Sequence, residues 1–560
     1  MSENNRATSR IDALRGGSGI LFLLAGGLLL AAVITALFAG DLVSLAISIY
    51  SRTGAVTSTG NEMIHRVVAR ARWMFLAGSA GCLALALLFR AAERAMAPMA
   101  SVAGRPWMDG PMSARLAWLM AGLILLRILV NQVHLHDSLW CDELYSWKTF
   151  AEGPIAGIFG VSKTNLPNNH ILNSLLMKLS LALGMQSEAG LRIWNYLASL
   201  LTIPAAWYLG RVFRLRWQAA ALLMTMVAAS PIIERYGTQA RGYGLAIPLA
   251  MLSVALHVSL FESAGRKRCG ALILVNAMLV LANIYTVTLL LGEILHLLLE
   301  GLHPRSASRR EGHPAYRRHL LSLLLSLLVS LGLNLLLLPF IILNSIVFAS
   351  KEPHSAEVFF RTMSGMLMPE GNPWMGAAVI LALCWLAAIS RGRSDDRGLW
   401  ALLSVIACGI VAGMLMHLYE MRAVAYLNGL ALLLFVLTIS RSVSHRMIAA
   451  SMAALALAFS AYGIVAAVKR PVIQDYRQMI ADAERIANGR PIWTSGFASA
   501  GVEYYRALPT PERMPPGPSI YLSFFDWEVR NDPLQKAVWS ACRLRQAYSH
   551  ELKTAIYECP

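Results

Sequence analysis

Apolar stretches of about twenty residues recur along most of the chain. Examples are "GILFLLAGGLLLAAVITALFAG" from residue 19, "LLSLLLSLLVSLGLNLLLLPFIIL" from residue 320 and "LNGLALLLFVLTI" from residue 427. A helix of about 20 residues crosses the hydrocarbon of a bilayer, and in the absence of water only such internally bonded backbone is tolerated there. About thirteen spans are predicted, near residues 17–39, 73–89, 116–133, 191–210, 218–233, 243–262, 270–283, 287–302, 320–347, 374–390, 399–416, 423–440 and 447–467. Between the third and fourth spans, "NHILNSLLMKLSLALG" repeats its apolar residues at helical spacing but is short for a span, so a helix along the membrane surface is predicted. The pattern changes near residue 470. "QDYRQMIADAERIANG" predicts an amphipathic helix, "RPIWTS" and "SIYLSFF" predict strands, and "PLQKAVWSACRLRQAYS" predicts a further helix.

The expected fold is therefore an all-α polytopic membrane bundle with surface helices in its first long external loop, followed by a small α/β extramembrane domain. Residues 1–115 form an N-terminal segment with two additional spans, 116–468 a transmembrane core, and 469–560 the external domain. Composition agrees: 56% of residues are hydrophobic and only 14% charged, against the roughly 45–50% apolar content of soluble domains.

A formal net charge of +17 would point a soluble chain toward nucleic acid, but its placement says otherwise. "RVFRLR", "GRKR", "HPRSASRREGHPAYRRH", "SRGRSDDRG" and "SRSVSHR" are short basic segments between spans, the mark of cytoplasmic loops. The charge is read as topology, with no nucleic-acid partner. With the N-terminus inside, the basic loops fall on one side. The acidic segment at 142–143, the "ERYGTQARGYG" turn, the 350–373 loop, "HLYEMR" and the tail all fall on the other. Arg6, Arg10 and Arg15 precede a first apolar run too long for a secretory signal and without a small-residue cleavage site. The seven cysteines show no metal-ligand spacing. Cys542 and Cys559 share the polar tail with sixteen residues between them, and in an oxidising compartment they are expected to pair.

Candidate chemistry begins at "HDSLWCDELYSW". Adjacent residues do not face each other on a helix and point to opposite sides of a strand, so Asp142 and Glu143 are not expected to share a proton. One can project into a cavity while the other fixes the loop, or both can be a solvated pair. A nucleophilic Cys141 is disfavoured, because no motif places a base beside it.

Taken in order, "LWCDELYSW", "LPNNHILNSLLMKL", "LRIWNYLASLLTIPAAWYLGRVF" and "SPIIERYGTQARGYGLAIPLAML" resemble the GT-C membrane glycosyltransferases of the aminoarabinose-transferase, protein O-mannosyltransferase and rhizobial galacturonosyltransferase type. The similarity covers roughly residues 116–440. It departs from the family at Ile171, where proline often follows the histidine, and in the two spans that precede the usual core. The resemblance implies transfer of a sugar from a polyprenyl-phosphate donor to an acceptor hydroxyl of a glycan, lipid or protein, with inversion, on the external face of a bacterial inner membrane, the site facing the periplasm. It implies Asp142 as general base, with Glu143 and His170 in the catalytic group; for His170 the roles of acceptor-side partner and helix-start residue both stay open. Positive charge on the departing phosphate is assigned to Arg241 and Arg422, with Lys163 and Tyr243. Asn168, Asn169, Glu234 and Glu420 are assigned to substrate, the two glutamates through nearby arginines. Either arginine could instead snorkel to lipid headgroups. No metal ligands are assigned; a divalent metal stays open as a cofactor beside the donor lipid. Bilayer, donor and acceptor are the partners of a monomeric chain. The competing class is a transporter or lipid flippase. Against it, the conspicuous charges gather at one face and the span centres are largely uncharged.

Overall fold

The computed structural model describes residues 114–159, 170–261, 265–302, 314–334, 397–415, 421–441, 446–494, 504–506, 517–523, 540–548 and 554–560. Fifteen helices and four strands lie among them. The core helices are α1 (Ala114–Leu135), α5 (Glu188–Val212), α6 (Trp217–Ala228), α7 (Pro231–Gly237), α8 (Gly242–Leu260), α9 (Arg266–Ala282), α10 (Val287–Leu302), α11 (Pro314–Leu333), α12 (Arg397–Leu415), α13 (Asn428–Arg441) and α14 (Arg446–Lys469). Between α1 and α5 lie α2 (Cys141–Ser146), a π-helical turn (Trp147–Ala151), α3 (Ile155–Ile158) and α4 (Ile171–Ala182). The tail holds α15 (Tyr476–Ala487), β1 (Ile492–Thr494), β2 (Ser519–Ser523), β3 (Arg543–Tyr548) and β4 (Thr554–Cys559).

Helix α8 is the central post. It packs on α5, α9, α13 and a 3₁₀ turn at Met421–Leu427, while α5 packs on α1 and α6. The burial pattern is that of a bundle in lipid. Trp118, Leu125 and Leu129 on α1, Leu321 and Leu328 on α11 and Leu457 and Val465 on α14 are exposed, while Asn131, Arg127, Ser199, Thr202 and Glu293 are buried. Polar groups seek one another inside when the surrounding medium offers no hydrogen bonds.

The helices stand where the expected spans stood, with two changes. The 218–233 span is broken: α6 and α7 meet at 47°. Pro231 cannot continue the hydrogen-bond ladder, and Ser230 restarts it as an N-cap whose Oγ accepts from Ile233 N. The 423–440 span begins as a 3₁₀ turn. Two described helices, α1 and α8, are long and apolar enough to cross a membrane, or three if the bent α6–α7 pair is one span. The expected count of thirteen is not reproduced on that measure. The spans near 17–39, 73–89 and 374–390, and residues 335–347 of the span near 320–347, lie outside the described residues.

The tail is a four-stranded sheet in the order β1-β2-β4-β3, with β1 and β2 parallel and the other pairs antiparallel. Helix α15 and strands β1 and β2 confirm the sequence reading. The expected helix over "PLQKAVWSACRLRQAYS" is overturned at its C-terminal end, where Arg543–Tyr548 is an edge strand with a register shift between Leu544 and Gln546, while residues 533–539 lie outside the described residues. An edge strand bonded on one side has no buried alternation to read, and its partner β4 went unassigned. Bulges and charges such as Arg545, whose Nε lies 2.5 Å from Glu558 Oε2, are how such edges avoid further pairing. The expected Cys542–Cys559 disulfide is formed, Cα to Cα 4.2 Å, and closes a loop whose restriction stabilises by about 3 kcal/mol.

Candidate functional site

The ends of α1, α7 and α14, the starts of α5, α8 and α10, and the tail all meet at one end of the bundle. The acidic loop lies there. Both carboxylates sit in the first turn of α2, where the partial positive charge of the helix start favours them. Their environments then diverge.

Glu143 is fully buried. Arg192 on α5 grips it in a fork, Nε to Oε1 2.9 Å and Nη2 to Oε2 2.7 Å. Ala240 N donates to Oε1 at 2.5 Å and Trp140 N to Oε2 at 3.1 Å. Arg192 also donates to the carbonyls of Leu135, Asp137 and Ser138. Glu143 and Arg192 thus bolt together the end of α1, the start of α2, α5 and the turn before α8. Glu143 was expected in the catalytic group; its oxygens are taken up by these four donors, which makes it the member of the pair that fixes the loop.

Asp142 keeps a partly exposed side chain, at 24%, and its Oδ2 lies 2.5 Å from Nη1 of Arg241, which is 1% exposed. Headgroup snorkelling by Arg241 is thereby excluded. The guanidinium stands over the rings of Trp140 and Tyr243, 5.5 and 5.4 Å from their centroids, a stacking that suits its weakly hydrated plane. His170 completes the group. Its Nδ1 donates to Ala282 O at 2.9 Å, leaving Nε2 to face Arg241 Nη2 at 3.4 Å, and its ring meets Tyr243 edge-on. His170 is also the residue before the first turn of α4, which is the helix-start role of the two left open for it. The motif "ARGYG" is explained by close approach. A Cβ on Gly242 would stand 1.8 Å from Ala282 O, and one on Gly244 2.4 Å from Tyr236 O. Glycine lets α8 start against these backbones, which carries Arg241 to the loop.

Glu234 pairs with an arginine far along the chain. It is buried against Arg470, Nη2 to Oε1 3.2 Å, a partner 236 positions away at the junction of α14 and the tail. Arg422 falls in the 3₁₀ turn Met421–Leu427, which packs on α8. Lys163, Asn168, Asn169 and Glu420 lie outside the described residues.

Sequence reasoning missed the tail's hold on the loop. Gln474 Oε1 accepts from Cys141 N at 3.0 Å, Ser138 Oγ from Tyr476 N at 3.1 Å, and Tyr505 Oη from Leu139 N at 2.7 Å. Burial pushes the Tyr505 phenol up, so it stays a neutral hydroxyl. Leu139, Leu144 and Trp147 share one apolar cluster with Tyr476, Met479, Ile480 and Ile520. Behind the loop a small polar recess lined by His134, Asp137, Trp140, Arg192, Gln239 and Arg470 has room for about one water; it is distinct from the Asp142 face. The reading that span interiors are largely uncharged needs correction as well. Glu293 is fully buried within α10, and His257, His296 and His319 are buried on α8, α10 and α11. Among the described residues no group of three ligand side chains is placed to hold a metal ion.

An apolar exterior, a polar interior and a buried ionic cluster at one end define a helical membrane protein. Several solved structures are similar to it at low sequence identity. Among solved structures, apo ArnT from Cupriavidus metallidurans is 13% identical at a TM-score of 0.46, covering 80% of this chain and 98% of that one. The oligosaccharyltransferase of Archaeoglobus fulgidus is 11% identical at 0.41, covering 70% of this chain and 57% of that one. The arabinofuranosyltransferase AftD from Mycobacteria is 12% identical at 0.39, covering 80% and 42%. No family model matches the sequence, and no curated protein matches it significantly. At these identities the likeness is one of chain trace and says nothing of substrate.

Proposed function

We propose that the chain is a glycosyltransferase that moves a sugar from a polyprenyl-phosphate donor to an acceptor hydroxyl at the external face of the membrane, with Asp142 as the base. The observation that carries this reading is the Asp142–Arg241 pair: a partly exposed carboxylate held on a buried, aromatic-stacked guanidinium at the rim of a lipid-embedded bundle. The motif resemblance supplies the donor class. A lipid-linked sugar lies at this interface, and its phosphate is the anion a guanidinium recognises best.

The pairing suggests an order of events. Donor phosphate entering beside Arg241 competes with Asp142 for the guanidinium, and the displaced carboxylate becomes free to accept a proton. The acceptor hydroxyl then loses its proton to Asp142 as its oxygen bonds the anomeric carbon. The bond from that carbon to phosphate oxygen breaks, and charge on the phosphate grows toward −2. Arg241 stabilises that growth, and Arg422 is assigned beside it. His170 and Tyr243 hold the guanidinium in place.

Replacing Arg241 tests this. Losing a charged hydrogen bond costs about 1.5–3 kcal/mol, so Arg241→Ala should lower kcat by ~10–100-fold, and Arg241→Lys should recover little of it. Donor retention should change less, because the prenyl tail binds separately. The readout is radiolabelled sugar transfer by the purified chain, with donor binding measured alongside. Weaker donor binding with kcat unchanged would reduce Arg241 to a ground-state contact. A transport reading draws on one specific observation, the ionisable groups inside the bundle, and is separated from transfer by whether donor lipid crosses a vesicle bilayer with its sugar bond intact.

A further inference from the structure

Deep in the bundle, away from the acidic loop, three side chains close a ring of contacts. Ser253 Oγ on α8 lies 2.5 Å from Asn276 Oδ1 on α9 and 2.7 Å from Glu293 Oε1 on α10, and Asn276 Nδ2 lies 3.3 Å from Glu293 Oε2. All three are fully buried. Three contacts need three hydrogens. The serine hydroxyl supplies one. The amide turns its nitrogen to one neighbour and its oxygen to the other, so it supplies one whichever way round it is placed. The third has a single source, a proton on the Glu293 carboxyl. Ionised, Glu293 would leave two oxygens facing each other with no hydrogen between them, in a place where unmet polar contacts are costly.

One helical turn away from Ser253 and from Glu293 stands a row of histidines. His319 Nε2 lies 3.0 Å from His257 Nδ1, and His257 Nε2 lies 2.9 Å from His296 Nδ1. Neutral, three rings carry three N–H groups, and two of them fill the two contacts. A fourth proton fits on an outer nitrogen with both contacts intact. A fifth would set two N–H groups head to head. The row therefore accommodates one extra proton and, by shifting hydrogens along it, can release that proton at the other end. A metal ion suits it less. His257 meets its neighbours with two different ring nitrogens, so no single point lies at the ~2.0–2.1 Å from all three rings that zinc requires. Ionisable groups among the described residues of the helices packed round the row include Glu188, Arg192 and Arg211 on α5, Arg266, Lys267, Arg268 and Cys269 on α9, Glu300 on α10, Arg318 on α11 and Cys408 on α12. Arg268 is turned to the Ser259 carbonyl.

We propose that Glu293 is a neutral, proton-carrying acid within the bundle and that the His319–His257–His296 row is the relay through which its proton exchanges. Moving the proton from Glu293 to the row leaves a carboxylate beside an imidazolium, so charge is conserved and no co-reactant enters. The site takes a proton as its ligand, and nothing in the sugar chemistry requires it.

Infrared spectroscopy of the full chain in lipid nanodiscs at pH 7.5 tests the proposal. Surface carboxyls are ionised at that pH, well above their usual values of about 4, so a protonated-carboxyl C=O band that shifts in D₂O should come from Glu293 and vanish in Glu293→Gln. Absence of the band from the wild type, or its survival in the variant, overturns the assignment. The amide of Glu293→Gln can donate to Ser253 and accept from Asn276, so this variant should fold with a Tm within about 2 °C of wild type; failure to fold would show that an ionised carboxylate was needed. In His257→Gln, and independently in His319→Gln, deuteration of the band should be slower by roughly tenfold or more. An unchanged rate in whichever of the two folds would leave the acid without its relay and overturn that half of the proposal.

Discussion

Asp142→Asn should abolish nearly all sugar transfer while the protein is made and folded as before. The substitution keeps the shape of the side chain and removes its capacity to take a proton. Loss of a general base lowers rates by ~10²–10⁴. The fold should not notice, because Asp142 is the exposed partner of its pair and Arg241 retains the Trp140 and Tyr243 rings around it. Donor binding is expected to be unchanged or tighter, since the neutral amide carries no charge with which to compete with phosphate for the guanidinium. Turnover measured with saturating donor, beside a donor-binding isotherm, checks both halves. Near-normal turnover would remove Asp142 from the mechanism.

The largest effect on stability should come from Arg192→Met. Methionine fills the space but leaves Glu143 as a buried carboxylate whose remaining donors are the Trp140 and Ala240 amides. Removing one member of a buried ion pair costs about 3–5 kcal/mol, because the survivor is left desolvated and uncompensated. The Leu135, Asp137 and Ser138 carbonyls lose their donor as well. Thermal unfolding of the detergent-solubilised variant should show a clearly lower midpoint, and Glu143→Gln added to Arg192→Met should recover part of it, since no charge then stays buried. Strict additivity of the two losses would contradict the direct pairing.

Much of this architecture was legible in the sequence because it is local. Apolar runs marked α1 and the helices from α4 to α14 but not the short α2 and α3, and the periodicity of "RQMIADAERIA" marked α15. Ser230-Pro231 already held the break between α6 and α7, as a cap followed by a residue that cannot bond backwards. What escaped was decided by partners distant in the chain. Strand β3 exists because β4 and the Cys542–Cys559 bond hold it. Glu143 became the buried anchor because Arg192 lies behind it, 49 positions on, inside what read as an apolar span. Arg470 claimed Glu234, and Gln474, Tyr476 and Tyr505 tied the tail to the loop. One signal was available: Arg192 and Glu293 are ionisable residues within otherwise apolar runs, and such a residue kept there has a buried partner or a task.

The central claim is that the chemistry is transfer of a lipid-linked sugar at one membrane face. The most direct test reconstitutes the purified chain in vesicles with a panel of radiolabelled polyprenyl-phosphate sugars and a membrane extract as acceptor. The account predicts label moving from the donor lipid onto acceptor with at least one member of the panel, and no such movement with Asp142→Asn. Donor lipid crossing the vesicle bilayer with its sugar bond intact, and no labelled acceptor from any donor, would contradict it and identify a transporter.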